Sequence, residues 1–430
     1  AGLFCSLKDA TVENLVIDSS CSFTGYYAGA LSVSVDGSLT VTNTTNKADV
    51  NGGYGGVGGF IGLMEYLKQK SVISFEGCVN HGFVTGRSQN VGGFIGHVKG
   101  STNVTITISS SVNNGTVTGG GDYIGGFVGG ISDNIGISMA ISNSSSNGIT
   151  TGSRYNVGGF VGHISSNTNM PIIISNSINN GSVTGDGYNV GGLVGEFYNN
   201  TNVNINISDS INDGTVTGVD DNIGGLVGID YNTNITITVS SSINMGHVTG
   251  NKHSIGGFVG SFLGNTNMSM VISNSINNGN VYGNITAIVM GGSGVGGFVG
   301  RIDSNSNIHM TIFNSTNNGS VTGSKGRVGG FVGRISSNTK LTMIVSHSAS
   351  SANVIGNNWG GVVGGFVGCI DRNTNIIVTI SNFTTKADII GNSQGSNVGG
   401  LVGVIDNNHY MDVTISTLSA AEMSLEMVKM

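Results

Sequence analysis

The sequence predicts an all-β protein, a single right-handed parallel β-solenoid of about 13 rungs, each of about 33 residues with three strands per rung. Three observations predict it. A glycine-centred hexapeptide, [VI]-G-G-[FL]-[VI]-G, recurs along most of the chain. Between its copies apolar and polar residues alternate, which is the period of a half-buried strand. The composition suits stacked turns: 74 Gly and one Pro in 430 residues, with 9% charged and 38% hydrophobic residues, enough to build a core from short strands.

The hexapeptide sets the phase. It starts at Val57, Val91, Ile124, Val157, Val190, Ile223, Ile255, Val295, Val328, Val363 and Val398, and degenerate copies occupy residues 1–6 (A-G-L-F-C-S) and 27–32 (Y-A-G-A-L-S). Each copy reads as the first strand of a rung. Both of its parities are apolar, as in Val328, Phe331, Val332 and Ile335, so the strand is covered on both faces. Internal cover by another sheet of the same coil, approached through the glycines, is the expectation, and lateral association with a second chain is the alternative.

The second strand is the alternating segment. Val104, Ile106 and Ile108 face inward and Thr105 and Thr107 outward, and Met268, Met270 and Ile272 fill the same inward set later. The third is the N-G-x-V-T-G segment around Val117, Val183, Val216, Val248 and Val321. No unit buries its own apolar face, so units stack in parallel at about 4.8 Å per rung. Two columns should then run through the stack. One is aromatic or aliphatic, from Phe60, Phe94, Phe127 and Phe160 onward; the other is an amide ladder of Asn80, Asn113, Asn179, Asn212, Asn244, Asn277 and Asn317.

The hexapeptides V-G-G-L-V-G and V-G-G-F-V-G, followed by N-G-x-V-T-G, resemble the GLUG repeat of secreted and surface-anchored proteins of bacteria and protists. The resemblance covers residues 1–417, and residues 418–430 are left as a C-terminal cap or docking segment. It implies a β-helical stalk with an extracellular or cell-surface location, the signal peptide already removed. Some relatives carry a zinc peptidase domain, but no H-E-x-x-H occurs here, so the resemblance implies no catalysis.

Charge and motif content exclude several function classes. A net charge of −7 without a basic run argues against nucleic acid, and no apolar stretch is long enough for membrane insertion. Turns such as D-Y-N-T-N (230–234), D-S-N-S-N (303–307) and D-R-N-T-N (371–375) begin like calcium loops but have Ile235, Ile308 and Ile376 where the sixth-position glycine belongs, so no metal site is assigned. Asp186 and Glu196, with Asp220 and Asp221, are the carboxylates a polysaccharide-active groove would use. No His or Arg is seen to join them, and no enzyme or cofactor is assigned. Outward Thr columns are too irregular for ice binding. Cys5 and Cys21 are the candidate disulfide.

Sequons include Asn43, Asn103, Asn114, Asn180, Asn206, Asn234, Asn284 and Asn382, candidate glycosylation sites in a number that an Asn-rich composition itself accounts for. A candidate interaction loop lies at 284–294, where Ile285, Ile288, Val289 and Met290 are more apolar than a solvated loop needs, with Trp359 as a second apolar loop residue. The function expected is an extracellular structural protein whose open first rung and last segment stack head-to-tail into filaments. The alternative is a monomeric stalk or adhesin presenting that loop, possible partners being itself and surface glycans.

Overall fold

The computed structural model describes the chain apart from residues 69, 286–292, 358–360, 393–395, 421–424 and 428–430. Every regular element among the described residues is a β-strand. The chain divides into two compact units, Ala1–Thr215 and Val216–Met430, and each is a parallel β-solenoid built from the same rung. Together they carry about twelve turns, close to the expected number.

One rung of the first unit shows the plan. Val91–Gly92 and Ile95–Lys99 belong to two different sheets, Thr105–Ser109 and Val112–Asn113 share a third, and Val117–Gly119 lies in a fourth. Each strand pairs in parallel with its equivalent one repeat later: Val91 with Ile124, Ile95 with Val128, Thr105 with Ser138, Val117 with Thr150. The second unit repeats the scheme, pairing Ile255 with Val295, Val259 with Val299, Met270 with Met310 and Val281 with Val321.

The rung therefore has four sheets where the sequence suggested three strands. The difference lies in the hexapeptide, which is a strand, a corner and a second strand. Its first two residues, such as Val57–Gly58, form one strand, and Ile61–Glu65 begins the next after the corner at Gly59 and Phe60. Glycine is what allows this fold-over. A Cβ on Gly62 would sit 2.9 Å from the carbonyl oxygens of both Ala28 and Val33, so the two sheets approach through bare backbone. Both parities of the hexapeptide are buried as expected: Val328, Phe331, Val332 and Ile335 are at most 1% exposed, and the cover is internal.

The core follows the predicted columns. In the first unit Phe60, Phe94, Phe127 and Phe160 are fully buried with successive ring centroids 4.9, 4.8 and 5.2 Å apart. Phe258, Phe298 and Phe331 repeat this in the second at 4.7 and 4.8 Å. Ile106, Ile108, Met270 and Met343 are buried, whereas Thr105 is exposed, so the strand register holds. Asparagines supply the turns. Asn103, Asn169 and Asn202 carry φ of 52°, 55° and 56°, a left-handed conformation that Asn tolerates better than other side-chain-bearing residues.

The described part of the segment after Thr417 continues the strand pairing of the preceding rungs. The strand His409–Ala420 keeps register with Thr374–Thr385, pairing Phe383 with Leu418, and Leu425–Met427 pairs with Ile389–Gly391. Backbone pairing on an existing rung needs no motif residues, so the strand pattern outlasts the sequence pattern. The degenerate first copies also take their places, with Phe4–Leu7 paired to Ser32–Val35.

Candidate functional site

Polar side chains are used in two ways, as ladders inside the coil and as the walls of a cleft outside it. The predicted amide ladder is present. Asn46 Nδ2 donates to Asn80 Oδ1 and Asn80 Nδ2 to Asn113 Oδ1, each at 2.8 Å, and Asn80 and Asn113 also donate to the carbonyls of Gly82 and Gly115. In the second unit Asn244, Asn277 and Asn317 repeat it at 2.8 Å. Ser146 and Ser350 occupy the same place in other rungs.

A second ladder escaped the sequence reading. Asn134, Asn167 and Asn200 in the first unit, and Asn232, Asn265, Asn305, Asn338 and Asn373 in the second, pass hydrogen bonds from rung to rung at 2.9–3.2 Å. The S-x-N or D-x-N setting of six of the eight, with Tyr198 and Leu263 taking the leading place before Asn200 and Asn265, recurs with the repeat and was the signal. It explains the turns that begin like calcium loops: the middle Asn of each belongs to this ladder. The leading acids face protein partners, Asp230 accepting from Asn222 and Ser261, Asp303 paired with Arg301, and Asp371 with Arg334.

The cleft lies in the first unit. Aligning the hexapeptides places His97, Gly130, His163 and Glu196 at the residue immediately after each copy, and the strands stack them in that order. This column lies outside the phenylalanine column, yet His163 and Glu196 are only 5% and 6% exposed, because the segments that precede their own and the previous hexapeptide lie beside them. Such segments bring Asn90, Tyr123, Tyr155 and Tyr188.

Two openings result. One of about 250 Å³ is bordered by Asn90, His97, Tyr123, Gly130 and His163. The other, about 440 Å³, is bordered by Tyr155, His163, Tyr188, Glu196 and Tyr198. Tyr123 stacks on the His163 ring at 4.3 Å and 10° between the two.

His163 Nδ1 meets two partners, Glu196 Oε2 at 3.0 Å and Asn156 Nδ2 at 2.9 Å. With its hydrogen on Nδ1 the ring donates to the carboxylate; in the other tautomer Nδ1 accepts from the amide. The sequence reading placed no histidine beside Glu196, and the structure corrects this, since residues 33 apart become neighbours when rungs stack. His97 Nε2 lies 3.0 Å from Ser132 Oγ, and burial, then the charges of Lys99 and His163, push its pKa down to about 4. Burial and the neighbouring carboxylates, Asp122 and Glu196 first, push the Tyr123 phenol up, so it remains a neutral donor at neutral pH.

No family model matches the chain, and no curated protein matches it.

The other expected site residues are dispersed. Asp186 is exposed on a turn of the first unit, while in the second unit Asp220 pairs with Lys252 at 2.6 Å and Asp221 accepts from the His253 backbone at 2.8 Å. Cys5 and Cys21 are free, exposed thiols on different sheets of the first turn, Cys5 within Phe4–Leu7 and Cys21 just ahead of Ser22–Gly25; the expected disulfide is not formed. Ile285 is 2% exposed and belongs to the core, so it presents no side chain. Ile288, Val289, Met290 and Trp359 lie outside the described residues. The eight named sequon asparagines are all exposed, and Asn114 and Asn180 are joined through Asn147 by side-chain hydrogen bonds of 2.8 and 2.7 Å. No helix is long and apolar enough to cross a membrane among the described residues.

Proposed function

We propose that the chain is an extracellular structural protein, a right-handed solenoid related to GLUG-repeat stalks, whose copies assemble head-to-tail. The observation that carries this reading is the direction of the amide ladders. In most rungs of each unit a ladder asparagine offers an amide donor on one side and an acceptor on the other, as Asn80 does between Asn46 and Asn113, while Ile17, Ser146, Ser350 and Thr385 interrupt the first ladder. A stack built this way is complementary to a second copy of itself, end to end, and its parallel strands extend by the same pairing. The buried ladder asparagines hold rungs together, which is what a load-bearing stack requires.

Electron microscopy and light scattering of the purified chain test the proposal. Filaments that lengthen with protein concentration and keep the solenoid's width are expected. Particles of single-chain mass at all concentrations would leave the stalk or adhesin reading, in which the chain is monomeric and carries a ligand site.

A further inference from the structure

The cleft of the first unit has properties that rung stacking does not require. Asn90 is 2% exposed, yet its Oδ1 has no hydrogen-bond partner, a costly arrangement unless a donor arrives from outside. Gly130 creates the space into which that oxygen points. A Cβ there would collide with Asn90 Oδ1 and lie 3.3 Å from the His97 ring, whereas the neighbouring rungs carry His97 and His163 at this position. The floor is thus an orphan acceptor, a neutral imidazole and the His163–Glu196 pair.

The rim is aromatic. Tyr155 and Tyr188 are 37% and 38% exposed, with ring centroids 5.3 Å apart and planes tilted by 32°, so they form two successive platforms one rung apart. Arg154 lies 5.3 Å from the centre of the Tyr155 ring and 3.7 Å from Asp122, so its charge is already engaged.

We propose that the two adjoining openings form a glycan-binding site that seats a neutral pyranose ring in the smaller one, with its hydroxyls toward Asn90 and His97, and lets the following sugar lie in the larger one on Tyr155 and Tyr188 beside Glu196. The chemistry of the walls selects this class. A sugar is the ligand that offers hydroxyl donors to an orphan carbonyl and a carboxylate while turning C–H faces to aromatic rings. A phosphate or sulfate would meet Glu196 and Asp133 with its own negative charge, against Lys99 as the single lysine or arginine lining either opening among the described residues. An apolar ligand would leave the buried Asn90, His163 and Glu196 unsolvated. The inference stands apart from head-to-tail assembly, since the cleft lies within one unit and needs no second copy.

Isothermal titration of the full chain with neutral hexasaccharides of β-1,4-glucose, β-1,4-N-acetylglucosamine and α-mannose tests it. At least one is expected to bind below about 1 mM. Gly130→Ala, which fills the cleft, should abolish that binding. Tyr155→Ala and Tyr188→Ala, on the surface and harmless to folding, should each weaken it about tenfold. Tyr66→Ala, an exposed tyrosine elsewhere in the same unit, is the control and should leave it unchanged. No heat with any of the three sugars at about 5 mM, or equal affinity in the Tyr155→Ala, Tyr188→Ala and control proteins, would overturn the assignment.

Discussion

Arg334 and Asp371 form a two-pronged ion pair across neighbouring rungs of the second unit, Nε to Oδ1 at 2.9 Å and Nη2 to Oδ2 at 2.7 Å, with side chains only 1% and 8% exposed. A buried pair of this geometry reveals itself by an asymmetry between single and double substitution. Arg334→Ala alone leaves the buried carboxylate, among the described residues, with only the exposed Arg372, Nε 3.2 Å from Oδ2, as an ion-pair partner and should cost about 3 kcal/mol. Replacing both with Arg334→Met and Asp371→Leu should cost less than either single change, because no charge is then left unpaired. Denaturant melts of the single and double variants decide it; additive losses would show that the two side chains contribute independently of one another. Burial pushes Asp371 up, but its hydrogen bonds and the charge of Arg334 outweigh this and hold the carboxyl below its ordinary 3.8. The pair's stabilisation is therefore complete above that value and is lost as pH falls through the lower folded one.

Asn113 occupies a ladder site that other rungs fill with Ser146 or Ser350, which predicts a graded response. Asn113→Ser should cost about 1 kcal/mol, the worth of a lost hydrogen bond, since Ser146 and Ser350 at this place have hydroxyls with no hydrogen-bond partner among the described residues. Asn113→Leu should cost about 3 kcal/mol or more, since it strands the Asn80 donor. It also crowds Gly93, whose absent Cβ would stand 2.8 Å from Asn113 Oδ1. Hydrogen exchange at the neighbouring rungs reads the difference, and equal losses for the two variants would remove the ladder's polar role.

Much of this architecture was legible because a rung is one repeat long. The inward set Val104, Ile106, Ile108, the phenylalanine column and the Asn80–Asn113 ladder all follow once the hexapeptides are aligned. The fourth sheet was hidden because V-G-G-F-I-G reads as one continuous apolar run, and parity arguments assume a straight strand, whereas the chain turns between Gly58 and Ile61. The cleft was half legible. His97, Gly130, His163 and Glu196 share one position of the aligned repeat, so their stacking was written in the sequence. That Tyr123 lies on His163 was not, because it depends on the hexapeptide folding back through its glycines.

The register makes a sharp pair of predictions at adjacent residues. Ile237 is fully buried and Thr236 exposed on the same strand of the second unit. Ile237→Asp should lower stability by several kcal/mol and unfold the adjoining rungs, whereas Thr236→Asp should change it by less than about 0.5 kcal/mol. Limited proteolysis distinguishes them: new cleavage near residue 237 is expected only in the first. Equal susceptibility would mean that the two faces are not inside and outside.

His97 gives the first unit an acid-sensitive point whose sign can be worked out. Its folded pKa is about 4, against an ordinary 6.5, so between these values the unfolded chain binds a proton that the folded one does not. Stability must then fall as pH drops below 6.5 and level off below 4, with no contribution from this group above 6.5. The shift corresponds to roughly 3 kcal/mol at full development. His97→Asn keeps a polar side chain beside Ser132, 3.0 Å from the native ring, but cannot titrate, so its denaturation midpoint should decline less between pH 6.5 and 4 than that of the native chain. Identical slopes for the two proteins would show that the acid sensitivity of this unit arises elsewhere. The same titration bears on the cleft: a His97 that stays neutral down to mildly acidic pH offers one donor or one acceptor to a ligand hydroxyl throughout that range, so sugar affinity should not change between pH 8 and about 5 through this residue.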